Sequence, residues 1–260
     1  MGEKTVDMTK GSILPKMIRF ALPVLLGMLF QRIYNFADSY IVGHFLGDNA
    51  LAAVSVAGVG MYLVFSLIIG LTTGVTVVMS QYYGAKEEDK VVKTFFSSIF
   101  IALGMTILVT VIGLLMTRPL LIVLQTPAEV LDAAVLYLRI ICAGSVGTML
   151  YNWISAVLRS LGNSVVPLIF LGISSLLNIV FDFLFVAVIP MGVGGAAFAT
   201  VLAQVISGVA CLLYAWKILP MLRIRRDKLK LDTYIGKQML VYGLPAALQM
   251  SIISISDMTL

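Results

Sequence analysis

The chain has 260 residues, of which 60% are hydrophobic and 12% are charged, and its mean hydropathy is +1.03. A soluble globular protein is about one quarter charged, so this composition excludes a soluble domain and indicates an integral membrane protein. A membrane-spanning β-barrel would show segments of about ten residues that alternate in polarity. The apolar runs here are longer and continuous, and the predicted fold class is therefore all-α.

Seven apolar segments are predicted to be transmembrane helices, because about 20 residues are needed to cross the hydrocarbon core of a bilayer. Their approximate ranges are 17–43, 51–83, 94–116, 131–153, 164–189, 195–216 and 238 onward. The second segment is overlong. The residues Gly70, Thr72, Thr73 and Gly74 mark a place where it could bend or split.

The basic residues lie mainly between the apolar segments and predict the orientation. If the N-terminus is cytoplasmic, fifteen Lys and Arg residues lie on the inner side and only Arg118 lies outside. This positive-inside bias predicts a multi-pass protein of a bacterial-type cytoplasmic membrane, and it explains the net charge of +5 without nucleic acid. The predicted organisation is a cytoplasmic N-terminus (1–16), a six-helix lobe (17–216), a basic cytoplasmic linker (217–237) and the start of a seventh helix (238–260). Attraction to anionic lipid explains the basic linker, with docking of a partner as the alternative.

The seventh segment repeats a feature of the first. Leu244-Pro245 stands early in its apolar segment, as Leu22-Pro23 does in the first. Since six helices separate the two, the second copy would enter the membrane in the same orientation, and parallel repeats of this kind occur in secondary transporters. The chain ends at Leu260, within the seventh segment, so it is expected to be a fragment of a longer protein.

Three acidic side chains, Asp38, Asp182 and Asp257, fall inside the predicted helices. A carboxylate at bilayer depth costs roughly 2.5–3.5 kcal/mol and persists mainly where it faces a cavity or a partner. Asn178 precedes Asp182 by four residues, which places both on one helix face. If they converge, the candidate donors are hard oxygen ligands that suit H⁺ or Na⁺: Asp38, Asp182, Asn178, Thr200, Tyr34 and Tyr137. Each group also has a structural alternative. Asp38 and Asp182 could be buried acids whose hydrogen bonds are satisfied, and Asn178 and Thr200 could form hydrogen bonds between helices. The two tyrosines could occupy interfacial positions.

Other candidate residues have structural interpretations. Cys142 and Cys211 lie in apolar runs without metal-ligand spacing and are expected to be packing residues. Arg32 and Arg139 are expected to extend toward an interface or to pair with an acid. No enzyme motif and no phosphate-binding lysine after a glycine loop is present. The sequence therefore predicts neither an enzyme nor a cofactor, and an ion gradient as the energy source.

Several strings resemble those of the multidrug and toxic compound extrusion (MATE) transporters. They are Pro23 with Asp38 fifteen residues later, VGHFLGDNALAAVSVAG, GLTTGVTVVMSQYYGAK, LRSLGNSVVP and MGVGGAAFAT. The resemblance covers essentially the whole chain. It implies a monomeric twelve-helix antiporter of two six-helix lobes, of which this chain is the amino-terminal half, with the missing carboxy-terminal lobe and membrane lipid as partners.

The resemblance also implies a function for the polar residues. The antiporter would export organic cations or other amphipathic drugs in exchange for H⁺ or Na⁺, with Asp38 and Asp182 as the coupling site and the first helix bending near Pro23. Some family members place a glutamate at the position of Ile253, so the second cation site of those members is not expected here. A flippase of lipid or lipid-linked precursors from the same superfamily is the alternative, although only Arg32 and Arg139 would be available for a pyrophosphate.

Overall fold

A computed structural model describes residues 13–219 and 230–259, and every regular element in these two ranges is helical. The α-helices are α1 (Ile13–Leu46), α2 (Asp48–Gly84), α3 (Glu88–Val123), α4 (Ala128–Ala143), α5 (Ser145–Ser160), α6 (Val165–Asp182), α7 (Val193–Ile218) and α8 (Thr233–Thr259). A π-helix over Phe183–Val188 continues α6.

The predicted all-α membrane fold is confirmed. Within the described ranges, α1, α2, α3, α6 with its π-helical continuation, and α7 are long and apolar enough to cross a membrane. Helices α4 and α5 meet the same criterion only as a bent pair, which makes them a sixth candidate span. The first six predicted segments each coincide with one of these spans. Helix α8, which covers the seventh predicted segment, is not among the candidate spans of the described residues, and it lies lengthwise against α2.

The fourth predicted span, 131–153, is not one continuous helix. Helices α4 and α5 meet at Gly144 with a bend of 49°. Gly144 lies directly against Val201 of α7, where an added Cβ would stand 2.3 Å from the valine methyl groups. The close approach of α7 thus falls at the point where the span turns. Tyr137, which was expected to open this span, lies in the middle of α4.

The second predicted span does not split. Helix α2 runs without interruption from Asp48 to Gly84, through the glycines and threonines at 70–74. These small residues instead lie against α8, and the backbones of the two helices touch there. The segment between α7 and α8 is shorter than the predicted linker at 217–237, because α7 ends at Ile218 and α8 begins at Thr233. Residues 220–229 of that linker lie outside the described ranges.

Helix α2 is the centre of the bundle, because it contacts α8, α3, α4, α5 and α1. Its two halves belong to two apolar clusters. One joins Ile68 and Met79 of α2 to Phe96 of α3 and to side chains of α5, α7 and α8. The other joins Val42 and Ala53 to side chains of α3, α4, the π-helix and α7. Helix α1 lies at the edge against α6, and many of its apolar side chains are exposed.

Candidate cation site

Two carboxyl groups are buried at the contact between α1 and α6. Asp38 lies on α1 and is 8% exposed, and Asp182 is the last residue of α6 and is 0% exposed. The two groups interact with each other electrostatically. Packing of α1 along α6 and its π-helical continuation brings them together from positions 144 residues apart (182 − 38).

Apart from the contact of the two carboxyl groups with each other, four buried oxygens here have no hydrogen-bond partner among the described residues. They are both carboxylate oxygens of Asp182, Oδ1 of Asp38 and Oδ1 of Asn178. An ionised carboxylate without partners is costly to bury and is normally paired, protonated or bound to a metal ion. A proton or a small cation would remove that cost, which makes this the most unusual polar cluster in the described part of the chain.

Asn178 is oriented by a hydrogen bond to α7. Its Nδ2 donates to Oγ1 of Thr200 at 3.2 Å, and the Thr200 hydroxyl in turn donates to the carbonyl of Ala196 at 3.2 Å. The amide nitrogen is thereby used, and the amide oxygen is left as an acceptor one helical turn from Asp182. This arrangement is what a ligand for a cation requires.

The two predicted tyrosines lie at the same cluster. Tyr137 of α4 is 4% exposed, lies beside the Thr200 hydroxyl and interacts electrostatically with both acids. Tyr34 of α1 is half-buried one turn before Asp38 and interacts with both acids as well. The burial of Tyr137 excludes the interfacial, lipid-facing position that was the alternative for it. The structure therefore brings all six candidate donors to one place, while their binding of a cation stays a prediction.

The remaining candidates lie elsewhere. Pro23 is inside α1, fifteen residues or about 22 Å of helix from Asp38. The backbone of Asp257 is part of α8, but its side chain lies outside the described residues. Arg32 and Arg139 are exposed, and neither forms a salt bridge with a described residue. Cys142 and Cys211 are buried and free. Across 13–219 and 230–259, no group of three or more His, Cys, Asp or Glu side chains is placed to hold a metal ion.

Two features of this region were not predicted from the sequence. The π-helix starts directly after Asp182, and a single π-turn often marks a functional position in a helix. Gln204, one turn beyond Thr200 on α7, has a buried Oε1 without a partner among the described residues. Its four-residue spacing from Thr200 was the signal available in the sequence.

Taken together, the helices and the buried oxygen cluster define a polytopic α-helical membrane protein with an enclosed, carboxylate-containing site. The family model MatE matches residues 23–184, more than half of the chain. The chain belongs to the MatE family, as the sequence resemblance implied, and this is a family of membrane transporters.

Similarity to particular proteins agrees with this assignment. The chain is 34% identical over 254 residues to "Probable multidrug resistance protein YpnP" of Bacillus subtilis (strain 168), covering 96% of this chain and 56% of the relative. It is similar to the outward-facing conformation of a multidrug resistance MATE family transporter, with a TM-score of 0.89, 26% identity, and coverage of 98% of this chain and 56% of that one. The chain is also similar to the inward-facing conformation of a multidrug resistance MATE family transporter. The TM-score is 0.78 at 25% identity, and the match covers 91% of this chain and 55% of that one. The chain spans about half the length of these proteins.

Proposed function

We propose that this chain forms the amino-terminal half of a secondary active antiporter that exports organic cations and other amphipathic drugs in exchange for H⁺ or Na⁺. The observation that carries the proposal is the buried pair Asp38 and Asp182: Oδ1 of Asp38 and both carboxylate oxygens of Asp182 have no hydrogen bond to a described residue outside the pair. Family membership and the similarity to proteins named for multidrug resistance support transport of drugs.

The donor set favours H⁺ or Na⁺ over other coupling ions. All candidate ligands are carboxylate, amide, hydroxyl or phenol oxygens, which are hard donors. Asn178 presents its amide oxygen because its nitrogen is held by Thr200. A proton on either carboxyl, or a sodium ion between the two, would neutralise charge that the apolar surroundings disfavour. Both ions fit the same oxygens, and the experiment below separates them.

The mechanism follows from the position of Asp38 on a helix at the edge of the bundle. Helix α1 contacts the rest of the bundle mainly through α6, α2 and the π-helix, and much of its apolar surface is exposed. Binding of a cation between Asp38 and Asp182 would strengthen the α1–α6 contact at one end of α1. Pro23 lacks a backbone N–H and is therefore the point where α1 bends most easily. In the proposal, the bend changes the cavity wall and lowers the affinity for the drug on the outer side.

The proposed setting is the cytoplasmic membrane of a bacterial-type cell, with the N-terminus inside. The distribution of Lys and Arg supports this orientation. A second six-helix lobe of the same protein would complete the cavity, bilayer lipid would surround the monomer, and no organic cofactor would take part. The flippase alternative gains no support from the family match or from the similar proteins, which are named for multidrug resistance.

The test is drug efflux by the full-length protein in everted membrane vesicles, with the pH gradient and the Na⁺ gradient imposed separately. We expect one gradient to drive efflux of a fluorescent organic cation, and Asp38→Asn and Asp182→Asn each to abolish it. Asp132→Asn is the matched control, since Asp132 is an exposed acid paired with Arg118 at 2.8 Å. Coupled efflux at the wild-type rate in both carboxylate variants would overturn the proposal.

The role of Pro23 has a separate test. Pro23→Ala restores a backbone N–H to α1 and should stiffen it. We expect this variant to bind the drug and the cation like the wild type and to lose coupled efflux. A variant that transports at the wild-type rate would show that bending at Pro23 is not required.

A further inference from the structure

A second row of polar side chains lies inside the bundle, between the candidate cation site and the end of α5. Tyr151 and Ser155 lie one turn apart on α5 and are 7% and 0% exposed, and Arg159 follows one turn later. Tyr151 is close enough to Tyr34 of the cation site to interact with it electrostatically. The row therefore leads from the cation site to the end of α5 that the distribution of basic residues places at the cytoplasm.

Helix α7 contributes a matching row of polar side chains. At steps of four, three and four residues, one face of α7 carries Thr200, Gln204, Ser207 and Cys211. A Cβ added to Gly147 of α5 would stand 3.0 Å from the backbone nitrogen of Val205, and one added to Gly208 would stand 3.1 Å from that of Tyr151. Helices α5 and α7 therefore lie side by side and run in the same direction. Both rows end at Arg159, which interacts electrostatically with Cys211.

The hydrogen bonding within these rows is incomplete. The hydroxyls of Tyr151 and Ser207 donate to backbone carbonyls of α6 at 2.9 Å and 2.6 Å. The hydroxyl of Ser155 and the amide oxygen of Gln204 are buried and have no partner within residues 13–219 and 230–259. Buried polar atoms are normally paired with protein or with water, so these two are available to water or to a passing ion. We call Tyr151, Ser155, Gln204 and Ser207 the inner polar column.

Arg159 lies at the inner end of this column and carries an uncompensated charge. Its side chain is partly buried, and its titratable neighbours are Tyr151 and Cys211, neither of which is an acid. No salt bridge in the described part of the chain includes it. Since a buried charge is normally paired, an arginine at this position keeps a positive charge that no described acid cancels.

We infer that Arg159 is an electrostatic barrier that prevents the coupling cation from leaving the first lobe directly into the cytoplasm. The inference rests on the proposed function, in which the cation bound at Asp38 and Asp182 is released by the conformational change that exchanges it for the drug. A polar route from that site to the cytoplasm would dissipate the ion gradient without export. A fixed positive charge at the end of the route repels H⁺ and Na⁺ alike, as positive groups do in selective pores.

A role in stability alone predicts a different result. Arg159 lies in the last turn of α5, where a cation stabilises the end of a helix. Lys217 occupies the same position on α7, but it is exposed and does not belong to the column. Lys217→Gln is therefore the matched control. If only the helix ends matter, both variants lose thermal stability and neither lets cations through.

Cation entry into liposomes that contain the full-length protein tests the barrier. An inward H⁺ or Na⁺ gradient is imposed without drug. We expect Arg159→Gln to raise the rate of cation entry about tenfold or more, and Arg159→Lys and Lys217→Gln to keep the wild-type rate. Addition of Asp182→Asn to Arg159→Gln should remove the leak, because the route begins at the cation site.

Two results would overturn the barrier. One is an Arg159→Gln protein that exports the drug and lets in cations no faster than the wild type, which would leave the proposed function intact. The other is a leak that persists when Asp182→Asn is added, because the ion would then bypass the cation site. A leak that depends on Asp182, in a protein whose wild type no ion gradient drives, would support the barrier and contradict the proposed function.

Chemical restoration of the charge is a second test of the same residue. In a full-length variant without other cysteines, Arg159→Cys should leak like Arg159→Gln. Reaction of the new thiol with a positively charged methanethiosulfonate should remove the leak, and reaction with a neutral one of similar size should not. Equal effects of the two reagents would show that the side chain fills space, and would overturn the electrostatic barrier.

Discussion

The side-chain amide of Asn178 donates to the hydroxyl of Thr200 at 3.2 Å, joining α6 to α7 one helical turn from the buried carboxyl of Asp182. This hydrogen bond occupies the amide nitrogen and leaves the amide oxygen free to accept a bond or bind a cation. Since the nitrogen is engaged, the oxygen remains an unpartnered acceptor among the described residues and adjoins the carboxylate pair. Thr200 is thus both a candidate ligand and the group that orients another one.

Removing the Thr200 hydroxyl should therefore weaken cation binding. Thr200→Val keeps the shape of the side chain and loses the acceptor for Asn178. We expect the apparent affinity for the coupling cation to fall roughly 10–100-fold, the range for loss of a group that orients a ligand, and Thr200→Ser to retain it. The measurement is the cation dependence of drug efflux by the full-length protein. Thr106→Val, which loses only a bond to the carbonyl of Ala102 in its own helix, is the control. An unchanged affinity in Thr200→Val would contradict this role.

Neutralising Asp182 should stabilise the protein. The carboxyl is fully buried and its hydrogen-bonding neighbour is the acidic Asp38, so its ionised form is more costly to bury than a neutral amide. We expect Asp182→Asn to raise the free energy of unfolding by about 1–3 kcal/mol. Thermal unfolding of the purified full-length protein at neutral pH measures it. Asp132→Asn, which removes an exposed ion pair, should change stability by at most about 1 kcal/mol. A lower melting temperature for Asp182→Asn would show that the acid is a satisfied structural residue.

A methyl group at the bend between α4 and α5 should be destabilising. The Cβ of Gly144→Ala would overlap Val201, which belongs to the helix packed across the bend. Because the φ angle of Gly144 is −86°, backbone strain makes no contribution and the effect is steric. We expect a loss of about 1–3 kcal/mol, as for overpacked cores, measured by thermal unfolding. Gly172→Ala is the control, since nothing lies within 4 Å of its added Cβ. Equal effects of the two substitutions would exclude the steric explanation.

A buried hydrogen bond between α3 and α5 should show energetic coupling. Nε1 of Trp153 donates to Oγ of Ser98 at 2.8 Å, and both side chains are buried. Ser98→Ala leaves the indole N–H without its partner and should cost about 1–3 kcal/mol. In a double-mutant cycle with Trp153→Phe, the two losses should sum to more than the loss in the double variant, by about 0.5–3 kcal/mol. Additive losses would mean that the bond contributes nothing to stability.

The clustering of the candidate residues was largely predictable because it rests on rules that act locally. An acid inside an apolar run is costly, so Asp38 and Asp182 stand out in the sequence without knowledge of the fold. The four-residue spacing of Asn178 and Asp182 places them on one face of any helix. Tyr137 was more ambiguous, because an aromatic residue near a helix end suits an interface as well as a site. Only the packing of α4 shows that it is buried.

The features that were missed depend on distant parts of the chain. The bend at Gly144 involves Val201, and the glycines at 70 and 74 lie against residues of α8. Glycine in a long apolar segment is compatible with a bend or with close approach of another helix, and the sequence of that segment alone does not separate the two. The π-helix after Asp182 has no local signal of comparable strength, since its six residues are ordinary apolar residues.

In the proposed mechanism, one cation binds at Asp38 and Asp182 and competes with the drug through a change in conformation. Linkage makes this measurable at equilibrium, because a cation that lowers the affinity for the drug must itself bind less well when the drug is bound. The most direct measurement is calorimetric titration of the full-length protein with an organic cation at several pH values and Na⁺ concentrations. We predict that the drug affinity of the wild type and of Asp132→Asn falls as one of the two cations rises, and that the affinity of Asp38→Asn and Asp182→Asn responds to neither. A wild-type response in both carboxylate variants would show that the cation does not act through Asp38 and Asp182.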